Sequence, residues 1–293
     1  VWVDFTILWL WKEREMRILG AMLGGTISSY NDEGTVKLGK PNFACGFLSE
    51  NFPRHEFVFP EFKTYSSEDA TPYLYRDALK KITEEAKGFE GILITHGTDT
   101  CAFFAQLAAR VLAPLDIPFV ITGAMISPDE DPDEASGNLE FAVKCLEEGR
   151  SGVVFKNRDG SEQLYQAHLI MSPDIRGVYS EYVDGERLEK KDYGDFLTRE
   201  KLPEILVIPA VPGAFLPEEG FDRVLICCNH SGTASADLVM KVAEWTSKGI
   251  DCFMAPIPGN SGVYESRRRL KDAGAIELTG MPIEGAWSEV LLR

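Results

Sequence analysis

The chain has 293 residues, 44% of them hydrophobic, and its 46 acidic residues against 30 basic ones give a formal net charge of −16. That is enough apolar material to fill one large or two ordinary cores, which excludes a disordered chain. The charge repels nucleic acid and anionic membrane, so a small uncharged or zwitterionic partner is expected.

Residues 1–15 are read as an N-terminal extension that opens with eleven mostly apolar residues, three of them Trp. The run is too short to span a bilayer. Asp4, with no basic start and no small-residue cleavage site, sets it apart from a signal peptide. From Met16 the elements alternate. RILGAMLGG reads as a strand running into glycines, and TPYLYRDALKKITEEAK as a helix, with Leu74, Ala78, Ile82 and Ala86 four apart and Pro72 in the first turn. GILIT is a short strand, TCAFFAQLAARVLA a helix and IPFVITGAM the next strand. A further helix is expected from Asn138 onward, preceded by a solvated acidic loop, SPDEDPDEASGN, over 127–138. GVVFKN is again a strand. Such alternation predicts a mainly parallel sheet flanked by helices.

Charge density rises and periodicity fades toward residue 204, after which a second series of strands and helices runs to the end. The expected architecture is two-domain α/β: a larger N-terminal domain over 16–188, a linker over 189–204 and a smaller C-terminal domain over 205–293. The six cysteines, Cys45, Cys101, Cys145, Cys227, Cys228 and Cys252, have neither metal-site spacing nor disulfide-scaffold density. They read as reduced core residues of a cytoplasmic protein, with Cys227 and Cys228 on opposite faces of one strand. GxGxxG, GxSxG, HExxH and Walker patterns are absent, and the acidic run lacks EF-hand spacing. No metal is expected.

In an open parallel sheet, ligands bind beyond the carboxyl ends of the strands. Three polar groups stand at such positions. Gly24 and Gly25 precede Thr26, where paired glycines permit a tight turn and a close approach to the hydroxyl. Such a triplet is by itself more often a turn than a nucleophile. His96, Gly97, Thr98, Asp99 and Thr100 follow GILIT. On the residues alone, a helix cap by Asp99 or Thr100 is slightly favoured over a site, and His96 reads as a satisfied strand-end histidine. Ser66, Ser67, Glu68, Asp69 and Thr71 precede the helix that starts near Pro72, and serve equally as loop and cap residues or as holders of an amino-acid ligand. Together the groups point to hydroxyl chemistry.

In order along the chain, GGTIS, THGTDT, and TGAM followed by Gly137, Asn138 and Leu139 resemble the bacterial-type L-asparaginase family, most of all its cytoplasmic type I branch. HSGTAS, PIPGNSGVYESRRRLKDAGAI and MPIEGAWSEVLL extend the resemblance over residues 16–293. It implies a two-domain α/β amidohydrolase, assembled as homodimers or homotetramers, that cleaves the side-chain amide of L-asparagine to aspartate and ammonia without a cofactor. It assigns Thr26 as the nucleophile that forms an acyl-enzyme, Thr98 as the second threonine and Asp99 as the partner of the substrate ammonium. It also assigns Ser67 to the substrate α-carboxylate and Glu68 to the pocket wall. Tyr30 is the only tyrosine in the segment where the family carries one that assists the nucleophile. The region expected to bring a lysine against Thr98 reads RDGSEQLYQAHLIM and has none. The alternatives carried are a relative acting on glutamine or D-asparagine, the amide donor of a tRNA-dependent amidotransferase, against which the acidic surface argues, and, because the lysine is missing, a catalytically weak amino-acid-binding homologue.

Overall fold

The computed structural model describes residues 15–156, 161–258 and 264–293. The extension over 1–15 lies outside the described residues except for Glu15. The chain forms two compact units, one ending at Ser180 and taking in Lys190–Asp192, the other made of Glu181–Glu189 and Tyr193–Arg293.

The first unit is built on a six-stranded sheet. Its strands are β1 (Arg17–Met22), β4 (Glu56–Val58), β5 (Gly91–Thr95), β6 (Phe119–Thr122), β7 (Gly152–Lys156) and β8 (Glu162–Tyr165), and their spatial order is β4-β1-β5-β6-β7-β8. All neighbours are parallel except β7 and β8. The hairpin strands β2 (Ser29–Asp32) and β3 (Thr35–Leu38) stand apart, and the short β9 spans Ile170–Met171. Both faces of the sheet are buried, as its uninterrupted apolar strands require. Ile18, Met22, Leu93, Val120 and Val154 pack with helices α1 (Asn42–Asn51) and α4 (Pro132–Glu147). The alternate residues Leu19, Ile92, Ile94 and Ile121 are likewise fully buried. Helices α2 (Pro72–Glu85) and α3 (Cys101–Leu112) complete the unit.

Helix α4 starts six residues earlier than the sequence reading places it. Asp131 accepts from the N–H groups of Asp133 and Glu134 and Pro132 occupies the first turn, so half of the acidic segment is helical. An Asp-Pro start is a capping signal that the acidity of the segment obscures. Asn138 therefore lies inside the helix, where it is fully buried. Its Nδ2 donates to the Gly123 carbonyl at 2.9 Å and its Oδ1 accepts from the Lys156 N–H at 2.6 Å, which joins the ends of β6 and β7.

The second unit carries a parallel sheet of β10 (Ile205–Pro209), β11 (Arg223–Cys227), β12 (Asp251–Ile257) and β13 (Ile276–Thr279), in chain order. Side chains alternate between its faces. Val224, Ile226 and Cys228 join Leu238, Val242 and Trp245 of α6 (Ala236–Ser247) and Leu270 of α7 (Glu265–Asp272). Leu225, Phe253 and Ala255 face Ala286 and Val290 of α8 (Ile283–Leu292). Within residues 189–204, the short helix α5 (Gly194–Thr198) buries Phe196, and Leu202 is also buried. All six cysteines are free thiols.

Candidate active site

Strand order places the carboxyl ends of β1 and β5 side by side. The chain leaves β1 toward β4 on one side, whereas β6, β7 and β8 are added beyond β5 on the other. The crevice beyond β1 and β5 is thus the switch point, the place where such sheets bind ligands.

Thr26 opens a one-turn 3-10 helix, Thr26–Ser28, immediately after β1 and two glycines. Gly25 adopts φ 80° and ψ −173°, a region open essentially only to glycine. A Cβ on Gly25 would lie 2.3 Å from the Gly97 Cα, and one on Gly97 would lie 2.6 Å from the Ser67 Oγ. Three loops therefore meet in direct backbone contact: the turn after β1, the turn after β5 and the segment before α2. Their main chains are also bonded, with Gly25 N–H donating to the Tyr65 carbonyl at 3.3 Å and Tyr65 N–H to the Leu23 carbonyl at 3.0 Å.

This convergence brings together the turns that carry Thr26, Ser67 and Thr98. Ser67 is buried at 3% exposure, while Thr26 and Thr98 are half-buried. Asp99 and Glu68 are exposed, and neither makes a hydrogen bond or ion pair with a described residue. Thr100 sits at the N-cap position of α3 but makes no side-chain cap bond, contrary to the expected helix-capping role. Its hydroxyl donates instead to the Ser67 carbonyl at 2.8 Å and accepts from the Tyr75 hydroxyl at 2.7 Å. Tyr75 comes from α2, whose N-terminus is capped by the Thr71 side chain with Pro72 in its first turn, as expected.

His96 is fully buried among aromatic rings, stacked on Phe104 at 4.7 Å with a 17° interplanar angle. Its Nδ1–H donates to the Gly97 carbonyl at 2.8 Å, whereas its buried Nε2 has no partner among the described residues. Burial lowers its pKa to about 4, so the ring is neutral near pH 7 and holds the glycine turn rather than shuttling protons. Cys101, in the first turn of α3, is buried and its thiol is pushed up to about 12 by desolvation, so it is no nucleophile.

The wall beyond Thr98 comes from the segment after β9. Gln106 of α3 donates its Nε2 to the Ile170 carbonyl at 2.9 Å and fixes that strand. Farther along the same segment, the buried Tyr179 donates its hydroxyl to the Thr98 carbonyl at 2.8 Å and stacks on Phe155 at 4.7 Å. Between them, a cavity of about 450 Å³ is lined by Thr98, Asp99, Met125, Ser172, Asp174 and Arg176 among others. A second cavity of about 530 Å³, with Phe155, Lys156, Tyr165 and Tyr179 in its wall, holds none of the site residues expected from the sequence. Lys156 lies against Gly137, and Lys144 pairs with Glu162; neither stands in the wall of the Thr98 cavity. The cation in the Thr98 cavity is Arg176, which sequence reasoning missed. Its signal is the turn Asp-Ile-Arg-Gly, whose Asp174 and Gly177 are turn-forming residues.

Tyr30 is exposed on β2, and its hairpin is tied to the acidic loop by Asn31 N–H to Asp129 at 2.7 Å and Asn31 Nδ2 to Glu130 at 2.5 Å. Among the described residues, no group of His, Cys, Asp and Glu side chains is arranged to hold a metal ion.

Comparison with known proteins gives this geometry its family. Curated relatives include a glutamyl-tRNA(Gln) amidotransferase subunit of Pyrococcus furiosus, 24% identical over 94% of this chain and 70% of its own length. The corresponding protein of Thermoplasma volcanium is 24% identical over 95% of this chain and 75% of its length. Among solved structures, the thermostable L-asparaginase from Thermococcus kodakarensis shares the fold at TM-score 0.70 and 20% identity, over 94% of this chain and 92% of its own. L-asparaginase I from Vibrio cholerae does so at TM-score 0.70 and 18% identity, over 95% and 92%. The family model of the asparaginase N-terminal domain matches residues 17–179, which include the turns of Thr26, Ser67 and Thr98. The chain therefore belongs to the asparaginase family and is an amidohydrolase.

Proposed function

We propose that the protein hydrolyses the side-chain amide of L-asparagine to L-aspartate and ammonia, with Thr26 as nucleophile. The observation that carries this reading is the contact of Gly25 with Gly97 and of Gly97 with Ser67, which draws together the turns that carry Thr26, Ser67, Thr98 and Asp99. Thr26 Oγ1 bonds to the amide carbon and gives up its proton. The carbonyl oxygen carries the resulting charge until the nitrogen leaves, protonated, as ammonia. Water then cleaves the acyl ester, regenerating Thr26 and releasing aspartate. Thr98 stands on the neighbouring turn, Asp99 faces the substrate ammonium and Ser67 donates to its α-carboxylate, with Glu68 at the rim.

On this reading residues 16–188 and 205–293 are the two asparaginase domains, and the protein acts in the cytoplasm as a homodimer or homotetramer on a small amino-acid amide, without cofactor or metal. Among the described residues, no helix is long and apolar enough to cross a membrane. The test is ammonia release from L-asparagine by the purified protein and by Thr26→Ala. The substitution is expected to reduce release by at least about a thousandfold. Equal release from both would remove Thr26 from its role.

The names of the curated relatives favour a second reading, in which the chain is the amide-cleaving subunit of a larger amidotransferase. The net charge of −16 argues against direct tRNA contact by this chain. Comparison of L-asparagine with L-glutamine, for the protein alone and with its co-purifying partners, separates the two readings.

A further inference from the structure

We propose that Arg176 is a specificity-determining residue of this site, receiving the α-carboxylate of an amino-acid amide whose ammonium Asp99 holds. The inference rests on the asparagine-hydrolysis reading and extends it to the charge pattern that the substrate must carry.

The cavity next to Thr98 has a charge problem that the rest of the chain does not solve. Asp99 and Asp174 both stand in its wall, in a protein of net charge −16. Two carboxylates alone favour a simple amine and repel any ligand that bears a carboxylate. Among the described residues, Arg176 is the single cation in that wall. Ser67 has one hydroxyl proton to give, while an ionised carboxylate offers about four acceptor sites. A carboxylate leaving water for the Thr98 cavity, whose wall does not include Ser67, therefore needs a charged donor in that wall.

Arg176 is set up for that task by its own turn. Asp174 Oδ1 accepts from the Arg176 N–H at 2.8 Å and the Val178 N–H at 3.1 Å, while Asp174 Oδ2 accepts from Arg176 Nε at 2.9 Å and Nη2 at 2.6 Å. Asp174 N–H in turn donates to the Val178 carbonyl at 3.0 Å, and Gly177 turns the chain at φ 78° against the Met125 side chain. A guanidinium has five N–H donors, and Asp174 takes two of them. Three remain, two of which, one on Nη1 and one on Nη2, form a planar edge matched to a carboxylate. The side chain is 74% exposed, so turning that edge to a ligand costs little desolvation. Tyr179, at the end of the same turn, donates to the Thr98 carbonyl, so the element that carries Arg176 is latched to the element that carries Asp99. Opposite charges held on two latched turns fit a zwitterion.

The test compares substrates that differ by one group. Ammonia release is measured for L-asparagine and for β-alaninamide, which is asparagine without its α-carboxylate, using wild type, Arg176→Ala and Arg176→Lys. The wild type is expected to prefer asparagine. Arg176→Ala is expected to shrink that preference by about tenfold to a hundredfold, through a higher KM for asparagine with β-alaninamide unaffected, and Arg176→Lys to restore part of it. Asp99→Ala is expected to act in the complementary way, collapsing the preference for asparagine over succinamate, which lacks the amino group. An equal loss on asparagine and β-alaninamide in Arg176→Ala would mark Arg176 as structural and overturn the assignment. If wild type releases no ammonia from either amide, the asparagine-hydrolysis reading fails, and Arg176 is judged by calorimetry with L-aspartate and β-alanine. Preferential aspartate binding that Arg176→Ala abolishes supports it. Binding of neither compound, or binding indifferent to the substitution, overturns it.

Discussion

Thr100 Oγ1 donates to the backbone carbonyl of Ser67 across 33 residues of sequence, at 2.8 Å. A hydroxyl at the first position before a helix ordinarily turns inward to cap it. Here it turns outward and fastens the turn that carries Thr98 and Asp99 to the turn that carries Ser67, with Tyr75 donating to the same oxygen from α2. The bond thus acts on the spacing between the groups assigned to the substrate's ammonium and carboxylate. Thr100→Val removes it at nearly constant volume and takes from the Tyr75 hydroxyl its 2.7 Å acceptor, leaving its 3.3 Å bond to the Thr100 carbonyl. We expect a loss of about 1–2 kcal/mol in urea unfolding and a rise in KM of about threefold to tenfold, with kcat changed less. A variant with lower stability and unaltered KM would show that the bond holds the fold and not the site.

Gly25 answers two demands at once. Its φ of 80° with ψ −173° is strained for any L side chain, and a Cβ there would overlap the Gly97 backbone at 2.3 Å. Gly25→Ala must therefore push the turn after β1 away from the turn after β5. The expected result is a folded but destabilised protein, by about 2–4 kcal/mol, with ammonia release reduced at least about a hundredfold. Circular dichroism and thermal melting report the first effect and turnover the second. Full activity in Gly25→Ala would disprove that this backbone contact sets the site.

The sequence is legible where one local rule acts on its own. The strands GILIT and GVVFKN, helix α2 with Thr71 and Pro72, and the alternation that yields a parallel sheet all follow from periodicity and caps. The family motifs point to Thr26, Ser67, Thr98 and Asp99 because those residues lie in short, fixed patterns. What escapes is settled by long-range pairing. Thr100 looks like a cap because nothing within ten residues shows that the Ser67 carbonyl competes for its proton. Helix α4 reads as starting too late because the carboxylates that suggest a solvated loop are in part its cap, Asp131, and its first turn, where Glu134 accepts from the Met125 and Ile126 N–H groups. Arg176 is hidden for a related reason. The family pattern points to a lysine past a strand, whereas the charge beside Thr98 comes from a turn.

Asn138 offers a cleaner test of buried polar economy. It is fully buried, with one donor on Gly123 and one acceptor for Lys156, and it ties the exits of β6 and β7 together through α4. Asn138→Leu keeps the branching of the side chain, adds methyl bulk at a fully buried position and removes the partner of both backbone groups. A cost of about 2–4 kcal/mol is expected, larger than that of Asn138→Asp, which retains the acceptor for the Lys156 N–H. The order of the two denaturation midpoints is the measurement, and a more stable leucine variant would reverse the argument.

The pH dependence of stability follows from His96. Burial lowers its pKa to about 4 in the folded protein, against about 6.5 unfolded. Above pH 6.5 both states hold the ring neutral and His96 contributes no slope. Between pH 6.5 and 4 the unfolded chain binds a proton that the folded chain refuses, so stability falls as the pH falls, by an amount on the order of 3 kcal/mol. His96→Phe preserves the stacking on Phe104 and removes the titration. The variant is expected to lose stability at pH 7, because the Gly97 carbonyl loses its donor, yet to show a flatter decline across that acid window. Urea midpoints taken every half unit of pH for both proteins give the slope directly. Parallel acid limbs would show that the ring is charged in the folded state, and would reopen His96 as a proton carrier beside the glycine turn.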